Sequence, residues 1–211
     1  MTSPNPSARI SGLYAITPDE PETAELLRKT RLALSGGTSV LQYRNKSAGA
    51  ALRLEQALAL RKLTHEFSVP LIINDDALLA QQVDADGAHL GGEDGSIVAA
   101  RAVLGKDKLI GVSCYNRASL AQDAVRQGAD YVAFGSFFAS TVKPGAVAAS
   151  PDILTGTSRT GGSIGGDRRH HGGQRRTVAG SRRECPGGDL CIIRRGGHRS
   201  GGTTVFKFEL P

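Results

Sequence analysis

Gln42, Arg44 and Lys46 alternate along one short stretch, Gln42-Tyr43-Arg44-Asn45-Lys46. In an extended chain residues two apart share a face, so an amide, a planar guanidinium and an ammonium would point the same way. Such a set suits an anion with several oxygens, because Arg grips it through a fork and Lys acts as a point charge. Acids follow further along, in Asn74-Asp75-Asp76 and Glu93-Asp94. Carboxylates brought to neighbouring strand ends could hold a magnesium ion that keeps several waters and bridges phosphate oxygens. The Asn74 amide could donate to the same ligand. An Asp ahead of a helix also has a plainer use as its cap. Asp76 is expected to serve that way, and Asp94, which precedes Gly95-Ser96 and a helical stretch, has the same alternative. Ser113 has no His near it in sequence and does not read as a nucleophile. His89 lies inside an apolar stretch and is expected to be a packed core residue with its hydrogen bonds met. Cys114 reads as a small buried side chain.

The elements that must position these residues follow from apolar patterning. Strands are expected at residues 12–17, 39–44, 69–74, 87–91, 109–114 and 131–136. Helices are expected at 21–35, 48–67, 77–83, 97–104 and 118–127, with Pro151-Asp152-Ile153-Leu154 as the first turn of a sixth. Continuous apolar strands alternating with helices predict a parallel sheet covered on both faces. The polar residues sit at the carboxyl ends of the strands, where both an open doubly wound sheet and an eight-stranded (β/α) barrel carry their sites. Their convergence from several strands favours the barrel.

The chain has 211 residues, 39% hydrophobic and 22% charged, which fits a globular protein. Its longest apolar runs are far shorter than the roughly 20 residues of a membrane helix. No secretory signal is visible at the start, and Cys114, Cys185 and Cys191 form no disulfide or zinc pattern. A cytoplasmic location and no membrane partner are therefore expected. The net charge of +6 is unevenly spread. Residues 1–158 hold 15 Lys and Arg against 16 Asp and Glu, whereas residues 159–211 hold 11 against 4. Of 27 glycines, 13 lie between Gly161 and Gly202, among the pairs Arg168-Arg169, Arg175-Arg176, Arg182-Arg183 and Arg194-Arg195. Such a composition does not build a core. The division predicted is a barrel of about six βα units over 1–154 and a Gly/Arg-rich tail over 155–211, with the barrel's seventh and eighth strands lost.

The tail is compatible with a shifted reading frame. Read one base later, codons for Asp167-Arg168-Arg169-His170-His171-Gly172-Gly173-Gln174-Arg175 permit the string I-G-G-I-T-A-D-N. The same offset over Gly187-Gly188-Asp189-Leu190-Cys191-Ile192-Ile193-Arg194 permits V-I-S-A followed by L-F. These are buried-strand sequences of the kind the missing strands would supply. A genuine Arg/Gly arm that binds nucleic acid through phosphates is the alternative. The tail has no aromatic residue before Phe206 and so lacks stacking platforms.

Five motifs, in order, make the chain resemble the thiamine phosphate synthase family over residues 10 to about 153. They are Gln42-Tyr43-Arg44-Asn45-Lys46, Ile73-Asn74-Asp75-Asp76, His89-Leu90-Gly91-Gly92-Glu93-Asp94, Gly111-Val112-Ser113-Cys114, and Tyr131–Phe138 with Ser140-Thr141-Val142-Lys143. The two out-of-frame strings fit the family's last strands as well. The resemblance implies a TIM-type barrel, incomplete here, that joins a hydroxymethylpyrimidine diphosphate to a hydroxyethylthiazole phosphate, a transferase reaction releasing pyrophosphate. It implies Mg2+ on Asp75 and Asp94. Arg44, Lys46 and Lys143 would assist diphosphate departure. Gln42, Tyr43, Asn45, Asn74 and Ser113 would contact substrate, with Ser113 on the pyrimidine. Ser140, Thr141, Val142 and Lys143 would line the phosphate loop, although Val142 stands where the family has a threonine. The resemblance allows a homodimer, and no nucleic-acid partner is expected.

A thiazole tautomerase-like barrel would share the fold without needing both the cation cluster and the paired acids. Because a barrel's phosphate site uses loops after strands seven and eight, turnover by the chain as written should fall far below that of the same gene read in the other frame from about codon 155. Equal turnover of the two proteins would overturn the frame-shift reading.

Overall fold

In the computed structural model the described residues are 10, 12–91 and 95–134, together with the backbone of 191–194 and 206–209. The elements are β1 (Leu13–Ile16), α1 (Thr23–Ser35), β2 (Thr38–Tyr43), α2 (Ala50–Glu66), β3 (Leu71–Asn74), α3 (Ala77–Gln82), β4 (Gly87–Leu90), α4 (Ile97–Leu104), β5 (Leu109–Tyr115), α5 (Ala118–Gln127), β6 (Tyr131–Phe134), β7 (Cys191–Arg194) and β8 (Phe206–Glu209). All six strands and five helices expected before residue 135 are present, with ends moved by at most two residues, and the last two residues of the expected strand 131–136 lie outside the described residues.

Strands β1 to β6 pair in sequence order, each parallel to the next. Alternation along them separates two layers. Tyr14, Ile16, Val40, Ile72, Leu109, Tyr131 and Ala133 pack together on the inner, concave side. Ala15, Leu41, Tyr43, Leu71, Ile73, Ala88, Ile110, Val112, Val132 and Phe134 pack outward against the helices. This curled, six-stranded parallel sheet is the incomplete (β/α) barrel.

The tail meets the sheet in a way composition did not anticipate. β8 pairs parallel with β1, as a last barrel strand would, but β7 runs antiparallel to β6. A βα repeat cannot deliver an antiparallel neighbour, because each helix returns the chain to the same end. β7 and β8 lie at opposite edges of the order β7-β6-β5-β4-β3-β2-β1-β8, so the sheet stays open among the described residues. The expected sixth helix at Pro151 lies outside the described residues. No helix among the described residues is long and apolar enough to cross a membrane.

Local chemistry sets the element ends. The Asp76 carboxylate accepts from Leu79 N at 2.8 Å and caps α3, as expected of it. The Ser96 hydroxyl caps α4 by accepting from Ala99 N at 3.2 Å. α5 stops at Gly128, whose φ of 100° places it in the left-handed region. A repeated device ties strand starts to helices. Asp86 accepts from Leu71 N at 3.0 Å and pairs with Arg61 of α2 at 3.3 Å. Asp130 accepts from Ile110 N at 2.8 Å and pairs with Arg101 of α4 at 2.7 Å.

Removing the Asp130 carboxylate leaves a buried strand N–H without its acceptor, at a cost of about 1–3 kcal/mol. Asp130→Ala should therefore speed hydrogen exchange at the Ile110 amide by roughly 10- to 100-fold, while Asp130→Asn, which keeps an oxygen there, should recover much of the protection. Unchanged exchange in the alanine variant would show that this cap contributes nothing.

Candidate active site

β2 runs out of the sheet with Gln42 facing inward, and the next residues of the same parity, Arg44 and Lys46, lie at its mouth. The Arg44 backbone is tied down on both sides by one hydroxyl, since Thr17 Oγ1 donates to Arg44 O and accepts from Arg44 N, each at 2.9 Å. Asp19, in the turn after β1, then fixes the Arg44 guanidinium and the Lys46 backbone. Its Oδ1 accepts from the Arg44 guanidinium at 3.2 Å and from Lys46 N at 3.0 Å. The Lys46 ammonium lies 3.8 Å from Asp75 Oδ2 and is more than half exposed, free to swing to a ligand.

β3 delivers Asn74 and Asp75. Asp75 adopts φ 59°, the left-handed region, which Asp enters more readily than most residues. The turn is held by Asp75 N donating to His89 O at 2.8 Å and by Gly91 N donating to Asp75 Oδ1 at 3.2 Å. Asp75 thus stands over the mouth and does not continue the strand, a strained geometry often found at functional positions. A cleft of about 280 Å³ opens beside it, lined by Asn45, Lys46, Arg53, Asn74, Asp75 and Leu79 among others. Arg53 of α2 pairs with Asp76 at 2.5 Å on its far wall.

Beneath the mouth, the inward-facing polar residues form one continuous hydrogen-bonded ladder across the sheet. His89 Nε2 lies 2.9 Å from Ser113 Oγ, and His89 Nδ1 lies 3.2 Å from the Tyr131 hydroxyl. The Tyr131 and Tyr14 hydroxyls are 3.1 Å apart. Tyr14 donates to Gln42 Oε1 at 3.0 Å, Gln42 Nε2 to Asn74 Oδ1 at 2.5 Å, and Asn74 Nδ2 to Asp75 Oδ2 at 2.7 Å. All six strands from β1 to β6 contribute, and Tyr14, Tyr131, Gln42 and His89 are buried. Burial raises the Tyr14 pKa well above that of an ordinary phenol, and the adjacent Tyr131 adds to the effect. Burial also raises Tyr131, so both hydroxyls keep their protons near neutrality. Gly111 makes room for this arrangement, since a methyl there would overlap the Tyr131 ring.

The expected residues divide into three groups. Gln42, Arg44, Lys46, Asn74, Asp75 and Ser113 belong to the mouth and the ladder. Tyr43 and Asn45 have the opposite parity. Tyr43 is buried toward α2, where its hydroxyl donates to Gln56 Oε1 at 2.8 Å and burial pushes its pKa up to about 12. Asn45 donates to Glu20 O at 2.9 Å and to Gln56 at 3.1 Å, and its Oδ1 accepts from Ser47 and Ala48. Both side chains brace the loop that carries Arg44 and Lys46, and both also line the cleft beside Asp75. Asp94, Ser140, Thr141, Val142 and Lys143 lie outside the described residues. His89 is a satisfied core residue, as expected, and Cys114 is buried, with its thiol pKa raised by burial to about 12.

Asp19, Tyr14, Tyr131 and Arg53 were not singled out in the sequence. Asp19 follows a strand end, the rule that found the others, and could have been found by it. The two tyrosines carried no such signal, because an aromatic residue in an apolar strand reads as core. Among the described residues no three His, Cys, Asp or Glu side chains cluster as a metal site. The Asp75 carboxylate, an exposed pair of hard oxygen donors met by Asn74 Nδ2, Gly91 N and the Lys46 ammonium, nevertheless fits a cation such as Mg2+, which needs only one or two protein carboxylates when phosphate oxygens complete its shell.

Comparison with known proteins agrees with this geometry. Residues 13–164 match the family model described as thiamine monophosphate synthase. A thiamine-phosphate synthase of Azoarcus sp. is 54% identical over 147 residues, 70% of this chain and 71% of that protein. One from Methylobacillus flagellatus is 56% identical over 137 residues, 65% and 66% of the two chains. The solved thiamine phosphate pyrophosphorylase of Pyrococcus furiosus superposes with a TM-score of 0.55 at 36% identity, covering 61% of this chain and 62% of that one. With the motif-bearing strands, the ladder and the match over most of its length in agreement, the chain belongs to the thiamine monophosphate synthase family.

Proposed function

We propose that the mouth of this sheet binds the diphosphate of a hydroxymethylpyrimidine diphosphate and that the enzyme transfers its pyrimidinylmethyl group to the nitrogen of a hydroxyethylthiazole phosphate. Thiamine phosphate and pyrophosphate would be the products, placing a cytoplasmic transferase in thiamine biosynthesis. The observation that supports this reading best is the approach of the Lys46 ammonium to Asp75 at 3.8 Å, with Arg44 held beside it through Asp19. That constellation presents cations to leaving oxygens and keeps a carboxylate available for a metal.

Loss of diphosphate from a pyrimidinylmethyl carbon builds negative charge on the leaving group. Arg44 and Lys46 are placed to stabilise that charge, and Asp19 spares Arg44 the cost of being ordered at the moment of reaction. Asp75, joined by Asp94, would hold Mg2+, which would neutralise further diphosphate charge when bound. Asn74 and Gln42 orient one another and line the floor. Ser113, across the ladder, would contact the pyrimidine. No general base is required, since the thiazole nitrogen attacks with its own lone pair. Lys143 and the loop Ser140-Thr141-Val142 would complete the phosphate contacts.

Magnesium pyrophosphate binding to the full chain, followed by calorimetry, tests the site. Lys46→Ala should weaken it about 10- to 100-fold, the loss of one charge-assisted hydrogen bond, and Asp75→Asn should remove most of the dependence on Mg2+. Binding that neither substitution changes would dissolve the proposed site. Formation of thiamine phosphate from the two substrates by the in-frame version of the gene product tests the activity, and its absence would sink the reaction assigned here.

A further inference from the structure

A carboxylate accepts hydrogen bonds and donates none. That one fact, applied at Asp75, fixes the protons along the ladder as far as His89 Nδ1. The Asn74 atom facing Asp75 must be its NH2, so its carbonyl oxygen faces Gln42. Gln42 must therefore offer its own NH2 to Asn74, which turns its carbonyl oxygen to Tyr14. Tyr14 gives its single proton to that oxygen and can only accept from Tyr131. Tyr131, its proton spent, can only accept from His89 Nδ1. A neutral imidazole protonated at Nδ1 has a lone pair at Nε2, and that lone pair faces Ser113 Oγ. The carboxylate dictates each step in turn as far as the proton on His89 Nδ1, and the last step, at Nε2, is that of a neutral imidazole.

We infer that the ladder is proton-ordered from Ser113 to Asp75, that Tyr14, Tyr131 and His89 are positioning residues, and that Ser113, its proton given to His89 Nε2, meets a ligand as an acceptor alone. The ligand group it selects is a hydrogen-bond donor, such as a ring amino group, and the group it rejects is a ring carbonyl. Two facing acceptors in a part-buried site would disfavour the carbonyl compound by about 10- to 100-fold. The hydroxyls of Tyr14 and Tyr131 touch no ligand in this account. They carry the sign of the Asp75 charge across the sheet to the pyrimidine end. The choice of ligand rests on the proposed function, whereas the proton order does not.

The order can be read directly in the unaltered full chain by 15N NMR of the histidine side chains, with the His89 signals assigned by their loss in His89→Gln. A pyrrole-type Nδ1 and a pyridine-type Nε2 are expected. The opposite tautomer, or a doubly protonated ring, overturns the inference. Tyr14→Phe supplies the second measurement. Without the Tyr14 hydroxyl, Tyr131 is released to give its proton to His89, so Ser113 can donate as well as accept. Affinities for a 4-aminopyrimidine and the matching 4-pyrimidinone should differ about 10- to 100-fold in the native chain and converge in Tyr14→Phe. A purely structural role would weaken both ligands together, and an unchanged ratio in the variant overturns the inference. If the tautomer is as inferred but neither pyrimidine binds, the proposed function and the ligand assignment fall while the proton order stands.

Discussion

Polar groups placed inside a barrel have no water to satisfy them, so each must find a partner on a neighbouring strand. In this protein that requirement is met by one ladder, and the ladder ends on the Asp75 carboxylate. The inward positions of β1 to β6 are otherwise apolar, with Ile16, Val40, Ile72, Leu109 and Ala133 filling the concave side. Tyr14 and Tyr131 span the middle because a phenol carries an apolar ring for packing and one hydroxyl for the chain. Gly111 is small for the same reason, since the Tyr131 ring occupies the place its side chain would take. The interior chemistry and the interior packing are therefore one arrangement.

The mouth is organised differently. There the charges are exposed, and their geometry comes from short side-chain to backbone contacts. Thr17 and Asp19 from the β1 turn hold the β2 turn at Arg44 and Lys46. Asn45, from the same loop but of opposite parity, anchors it to Glu20 and Gln56. Exposed ion pairs of this kind add little stability. Their effect is to hold the Arg44 guanidinium, and the backbone from which Lys46 reaches, near an acid before any ligand arrives, which is what electrostatic assistance to a leaving group needs. The buried ladder fixes direction, and the exposed mouth supplies charge.

The Gly/Arg-rich segment contributes differently again. Its two short strands lie along the exposed edges of β1 and β6, where unpaired backbone groups accept any extended partner. The antiparallel run of β7 marks it as an edge filler and not as the seventh unit of a repeating barrel. A strand can thus join the sheet without supplying the loops that a barrel uses at its phosphate site.

Much of this was legible in the residues themselves. Apolar runs such as Leu71-Ile72-Ile73 and helix formers such as those of Ala50–Glu66 determine local structure within a few residues of chain, so strands and helices could be placed from order alone. Gln42, Arg44, Lys46, Asn74 and Asp75 were readable because a polar residue at the end of an apolar strand is conspicuous in one dimension. Tyr43 and Asn45 shared that motif, yet the pleat turned them toward α2, since strand parity is decided by which face the neighbours bury. Tyr14 and Tyr131 are 117 positions apart and look like core in their own segments. Only the curl of the sheet brings their hydroxyls together, because a hydrogen bond depends on distances in space that sequence separation does not encode.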